Sequence, residues 1–124
     1  TSISGTPTVV ANPANAALYS VESTAAVLLT NAKTSSGNLM ELSAYNPTAT
    51  PAFLKIYNKA TAPVVASDTP ILTIPIPANG LVALEFGLGG KRFANGIGVA
   101  ITGLAVKTDN TAPVAGLQVS MTYV

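Results

Sequence analysis

Residues 116–124 have the sequence GLQVSMTYV, and the alternation of their side chains decides the fold class. Apolar side chains fall on one face and polar ones on the other: Leu117, Val119, Met121 and Tyr123 against Gln118, Ser120 and Thr122. A period of two residues is that of a β-strand with one buried face. This stretch therefore predicts a strand at the surface of a core.

Similar runs recur upstream. They are GNLMELSAY (37–45), AFLKIYNK (52–59), PILTIPIP (70–77), LVALEF (81–86) and IGVAITGL (97–104). With a further strand within residues 25–30, they give about seven strands separated by turn residues, which is typical of a two-sheet sandwich or barrel. The chain is thus expected to be all-β, an antiparallel β-sandwich, and periodicity alone does not separate a jelly roll from an immunoglobulin-like sandwich.

Three of the runs carry more specific expectations. The turn-forming sequence NPTATP at residues 46–51 predicts a hairpin of its two flanking strands, with Glu41 opposite Lys55. Prolines in residues 70–77 remove ladder donors and predict a sheet edge or a strand end. In residues 97–104 the small residues Gly98 and Ala100 leave room for a close neighbour.

The start of the chain has a different character. Residues 1–20 lack a sustained period and contain Pro7 and Pro13, so we expect an extended N-terminal arm followed by a single β-sandwich domain over residues 21–124. Nine prolines, ten glycines and many β-branched residues make helices poor throughout. The best helical alternative is residues 16–29.

Charge is scarce along the whole chain. Only 9% of residues are charged and the net charge is +1, so nucleic acid and anionic lipid have little to attract them. No apolar run approaches the ~18 residues of a membrane-spanning helix, which predicts a soluble protein. A surface of Thr, Ser, Asn and Ala costs little to desolvate and favours contact with other proteins.

Residue types also restrict the chemistry. Without histidine or cysteine the chain has no Ser-His nucleophile and no thiolate or imidazole ligand for a metal. The five carboxylates lie in separate predicted strands and loops, at Glu22, Glu41, Asp68, Glu85 and Asp109. We therefore expect no enzyme activity, no cofactor and no small-molecule substrate.

Two segments superficially suggest ligand sites. The sequence at residues 109–111, DNT, supplies too few oxygens for calcium and predicts a turn. The sequence at residues 87–93, GLGGKRF, matches no phosphate-binding motif and predicts a hairpin loop. If its Lys91 and Arg92 contact anything acidic, we expect carboxylates of a partner protein.

The expected hairpin places four side chains on its outer face: Phe53, Lys55, Tyr57 and Lys59. Aromatic and basic side chains on a protein of low charge suit the centre of an interface, and this row is one hypothesis for a docking surface. The alternative is that the N-terminal arm or a neighbouring loop covers the row. These two interpretations predict different losses when Phe53 and Tyr57 are replaced by Ala: lost attachment for the first, lost stability for the second.

Three motifs follow one another in order: LKIYNKATAP (54–63), SDTPILTIPIP (67–77) and FANGIGVAIT (93–102). Through this series above all, residues 38–124 resemble small virion structural proteins of tailed bacteriophages, the capsid decoration or cement proteins. The resemblance implies a β-sandwich of the jelly-roll kind, which becomes the preferred topology, with no cofactor and no active site. Some similar proteins are described only as virion components.

Together these observations predict an accessory shell protein. It would bind the assembled lattice of major capsid protein on the exterior of a virion assembled in the host cytoplasm. A homotrimer is the expected state, with a dimer as the alternative. The competing functions are a receptor- or glycan-binding module of a phage tail or fibre, and a head-to-tail joining component.

Overall fold

The computed structural model describes residues 16–124, and strands account for all regular secondary structure in that range. The strands are β1 (Ala17–Glu22), β2 (Leu28–Lys33), β3 (Gly37–Asn46), β4 (Ala52–Asn58), β5 (Leu72–Ile76), β6 (Gly80–Glu85), β7 (Lys91–Phe93), β8 (Ile97–Thr102) and β9 (Gln118–Tyr123). Nothing in residues 16–124 forms a helix that could cross a membrane. The strands at residues 17–22 and 28–33 show that the helical alternative for residues 16–29 is wrong.

The strands form two antiparallel sheets. One is five-stranded, with the order β1-β9-β3-β6 and β7 beside β3, and the other is four-stranded, with the order β2-β8-β4-β5. The chain runs outward through β1 to β4 and returns, so β5 pairs with β4, β6 with β3, β8 with β2 and β9 with β1. A long antiparallel hairpin rolled into two sheets is a jelly roll. The expected jelly-roll β-sandwich is confirmed.

The core lies between the sheets and is built from the alternating apolar residues of both. From β9 and β4 it takes the side chains that the sequence pattern placed inside, among them Val119, Met121, Leu54 and Ile56. Ala52, Leu54 and Ile56 are at most 1% exposed. In β3 both Leu39 and Met40 are buried, because the register with β9 shifts between Leu39 and Glu41. A bulge of this kind breaks strict alternation.

The hairpin of β3 and β4 expected from the sequence is wrong. These strands belong to different sheets, and Lys55 lies opposite Ala100 and Thr73 rather than Glu41. The connection crosses the sandwich at buried Asn46, whose Nδ2 donates to the Thr50 carbonyl at 2.8 Å. Turn residues mark where a strand ends, but they do not say which sheet the next strand joins.

Two other expectations concern the margins of the sheets. β5 is at the edge of the four-stranded sheet, as its prolines predicted. Residues 17–20, which the sequence analysis placed in the arm, lie in β1 and pair with β9. Their alternating pattern is too short to predict a strand by itself. Residues 17–20 form one because they pair with β9. The rest of the expected arm, residues 1–15, lies outside the described residues.

Strand β8 is buried on both faces. Its outward side is Gly98 and Ala100, and a Cβ built on Gly98 would lie 3.1 Å from Cγ of Pro63 and 3.3 Å from Cβ of Tyr57. The close neighbour expected at these small residues is therefore the loop that contains Pro63. The loop of residues 59–71 packs directly on the sheet at this point.

We expect Gly98→Ala to lower the free energy of unfolding by about 1–2 kcal/mol, because the added methyl overpacks the contact with Pro63 and Tyr57. Urea unfolding measures the change. Amide NMR shifts of residues 59–71 should move more than those of residues 103–117. A variant as stable as the wild type, with unshifted loop signals, would show that the contact is loose.

Candidate interaction surface

The outer face of the four-stranded sheet is covered by two loops of the chain itself. Residues 59–71 pack there through Pro63 and Val65, both buried, and Val65 forms a small cluster with Tyr57 and Ala100. Residues 103–117 cover the neighbouring part through contacts with Lys55. Tyr57 and Lys55 are consequently 1% and 0% exposed.

This cover corrects the hypothesis that Phe53, Lys55, Tyr57 and Lys59 form a docking row. Two of the four are buried, and Phe53 and Lys59 are half-buried. Neighbouring loops cover Lys55 and Tyr57, in agreement with the alternative interpretation for these two residues. Lys91 and Arg92 do not join it either, because β7 belongs to the other sheet. There Lys91 is half-buried and Arg92 is exposed.

Lys55 fastens the second loop to the sheet. Its Nζ donates to the carbonyl oxygens of Val106, at 2.7 Å, and Asp109, at 3.3 Å. Burial lowers the pKa of Lys55, and the nearby carboxylate of Asp109 counteracts part of that shift. The ammonium group is thus held by loop carbonyls, and its charge is not presented to a partner.

Asp109 organises the loop from within. Its carboxylate accepts hydrogen bonds from the Thr111 hydroxyl and from the backbone N–H groups of Thr111 and Leu104. Desolvation alone would raise its pKa, but these bonds and the charge of Lys55 leave the pKa of Asp109 below its usual value. The turn expected at residues 109–111 is present.

Asp68 has the same role in the first loop. Its carboxylate pairs with Lys59 and accepts the backbone N–H of Val64 at 2.7 Å. The hydrogen bond from Lys59, followed by that from Val64, lowers the pKa of Asp68. Each covering loop therefore depends on one carboxylate that is more acidic in the fold than in a free chain.

A depressed carboxylate pKa stabilises the fold above the unfolded value, here 3.8, and that contribution is lost as the pH falls through the lower folded value. We expect acidification below pH 3.8 to broaden the amide NMR signals of residues 59–71 and 103–117 before those of β3 and β9. At neutral pH, Asp109→Asn should loosen residues 103–117 alone. Simultaneous loss of loop and strand signals would contradict this order.

The outer face of the five-stranded sheet is different, because nothing in residues 16–124 covers it. Strand pairing arranges its outward side chains in three rows that cross β1, β9, β3 and β6 in turn. The rows are Leu18, Thr122, Glu41 and Glu85; Ser20, Ser120, Ser43 and Ala83; and Glu22, Gln118, Tyr45 and Leu81. We call this surface the open face, and every one of its side chains is exposed or half-buried.

The shape of the open face follows from its residue types. The middle row holds only serine and alanine, so it forms a floor between two taller rows. A groove of about 560 Å³ lies over this floor, bordered by Leu18, Glu41 and Glu85. Leu18 and Leu81, at diagonally opposite corners, are 69% and 66% exposed. Exposed apolar side chains also occur outside this face, among them Leu88 and Val106, and single ones are normal on a protein surface.

The open face is also acidic. Three of the five carboxylates of the chain lie on it, and neither lysine nor arginine occurs in its three rows. Exposed Arg92 of β7, opposite Asn38, lies on the same side of the sheet one row beyond Glu41. Glu41 and Glu85 are direct cross-strand partners. Within residues 16–124 the only ion pair is that of Lys59 with Asp68, so no cation neutralises the opposed glutamates.

Like charges directly opposite in a sheet are destabilising. We expect Glu85→Gln to raise the free energy of unfolding by about 0.5 kcal/mol at low ionic strength. Glu22→Gln is the matched control, because Glu22 faces Gln118 and loses no repulsion. Urea unfolding of both variants at two salt concentrations tests the difference, and equal effects would count against repulsion between Glu41 and Glu85.

The described residues contain no group of His, Cys, Asp and Glu side chains that could hold a metal ion. On the open face, the Thr122 hydroxyl donates a hydrogen bond to Glu41 at 3.3 Å. What this surface offers is shape, apolar area and negative charge.

Sequence reasoning overlooked the open face. The signal that could have revealed it is the alternation in β1, β3 and β9 of residues that are outward and small, namely Ser20, Ser43 and Ser120. Those serines become one row only through the pairing of strands distant in sequence. Each looked like an ordinary solvated position by itself.

The sequence matches no protein-family model and no curated protein. Among solved structures, the chain is similar to the protein of Bacillus endospore appendages, described as a family of disulfide-linked pili, with a TM-score of 0.48 and 13% identity over 96% of each chain. It is also similar to the coat protein of Tobacco streak virus, with a TM-score of 0.48 and 10% identity over 93% of this chain and 89% of that one. Neither likeness assigns a function to this chain.

Proposed function

We propose that this protein is a virion structural protein, a capsid decoration or cement protein that binds the assembled lattice of major capsid protein from the outside. The observation that supports it best is the open face, a sheet surface with exposed leucines and no cover within the described residues. The resemblance of residues 38–124 to phage virion proteins supplies the kind of assembly. The second sheet is already occupied by the chain's own loops.

The size of the open face sets how it can act. With strands about 4.8 Å apart and residues about 3.4 Å apart, its outermost rows and strands are each separated by about 14 Å. Side chains extend this to on the order of 400 Å², about half of what each partner buries in a standard interface. One copy would therefore bind weakly through this face alone.

Weak single contacts suit a symmetric shell. Several copies joined to one another bind with an effective concentration that multiplies their modest affinities. A homotrimer bridging neighbouring capsid subunits, with a dimer as the alternative, would stabilise the shell by added contact area. The role requires no cofactor and no nucleic acid, in keeping with the net charge of +1.

The test uses virions of the phage that encodes the chain. We expect mass spectrometry to find the protein in purified particles, and immunogold labelling to place it on the capsid. Particles stripped of it should lose thermal and low-salt stability and regain both when the purified protein is added back. Ala83→Arg, which puts a bulky cation on the floor of the open face, should abolish the add-back.

Ala66→Arg is the matched control, because Ala66 is exposed in the loop that covers the other sheet. It should restore stripped particles as well as the wild type does. Particles that lack the protein, or that are equally stable without it, would refute the proposal. Strong binding of the isolated protein to a glycan array would instead favour a receptor-binding module.

A further inference from the structure

We infer that the open face binds a cationic and apolar protein surface, with lysine or arginine side chains of the partner seated against Glu41 and Glu85 and aliphatic ones against Leu18 and Leu81. This deepens the proposed function and rests on it for the identity of the partner, the major capsid protein. The chemistry of the surface is argued from the face itself.

The negative charge of the open face determines that the partner surface is positively charged. Side chains directly opposite on neighbouring strands have Cβ atoms about 5 Å apart, so the two carboxylates repel each other in the free protein. A cation placed between them replaces that repulsion by two attractions. Glu22 adds a third negative charge at the β1 side of the same face.

The same charges argue against a second copy as the occupant. Two open faces in contact would bring six carboxylates together, since each face carries three and the nearest basic side chain, Arg92, lies beyond its rows on β7. Like charges juxtaposed across an interface disfavour that contact. The face is thus directed toward a different surface.

Shape indicates how the partner approaches. The floor of Ser20, Ser120, Ser43 and Ala83 lets a partner's backbone come close, and the groove above it opens beside both glutamates. An extended segment with alternating basic and apolar side chains fits the shape of this groove. Its basic side chains would reach Glu41 and Glu85, while its apolar ones would cover Leu18 or Leu81.

The experiment needs no virion. The probe is a soluble synthetic peptide in which lysine and valine alternate, titrated into the isotopically labelled full chain and followed by amide NMR shifts. A peptide with glutamate in place of lysine is the negative control. We expect the lysine peptide to shift residues of β3, β6 and β9, with affinity falling as salt is added.

The double variant Glu41→Gln/Glu85→Gln should bind the lysine peptide about fivefold more weakly, as the loss of two exposed charge contacts predicts. Ala66→Lys/Ser67→Lys raises the net charge by the same amount on the far side of the sandwich and should bind as the wild type does. Unfolding of each variant by urea confirms that both are folded under the conditions of the titration.

Three results would overturn the inference: equal affinity of the double variant, equal binding of the glutamate peptide, or shifts confined to the loops over the other sheet. Self-association through β3 and β9, seen by sedimentation, would also overturn it in favour of a second copy. If the lysine peptide does not bind while stripped virions still bind the protein, the proposed function stands and the inferred cationic partner surface does not. If the peptide binds but virions lack the protein, the preference of the open face for a cationic partner stands and the capsid role fails.

Discussion

The burial of β8 on both faces is the constraint on which the rest of the structure depends. Ile97, Val99 and Ile101 face the core between the sheets, while Gly98 and Ala100 face outward and need a second cover. The loops at residues 59–71 and 103–117 supply that cover and hide most of the four-stranded sheet's outer surface. One side of the sandwich is thereby covered by the chain's own loops, and the other has no cover within residues 16–124.

Polar groups hold that cover in place. A lysine inside a protein is tolerated when its ammonium finds acceptors, and the carbonyls of Val106 and Asp109 provide them for Lys55. Asp68 and Asp109 then order the loops through hydrogen bonds to backbone amides. In a chain with so few charges, those of Lys55, Lys59, Asp68 and Asp109 have structural positions, and the three glutamates lie on the open face.

Local sequence predicted the faces of the strands well, because alternation is a property of neighbouring residues. Leu54 and Ile56 are in the core, the prolines of β5 are at an edge, and Gly98 meets a close neighbour. Prediction from local sequence failed where the structure depends on contacts between segments that are distant in the sequence. The NPTATP turn crosses between sheets, and Tyr57 and Lys55 are covered by loops whose positions alternation does not encode. For the same reason the three serines of the open face could not be assembled into one surface.

The position of Pro75 has a consequence for how copies of this molecule can meet. A strand at a sheet margin is ordinarily a template on which another chain adds its own strand, but a proline there offers no N–H to the newcomer. Growth of one continuous ribbon from molecule to molecule is disfavoured on this flank. Edge-to-edge pairing between molecules is thereby left to the other margins of the two sheets, which β1, β2 and β6 form.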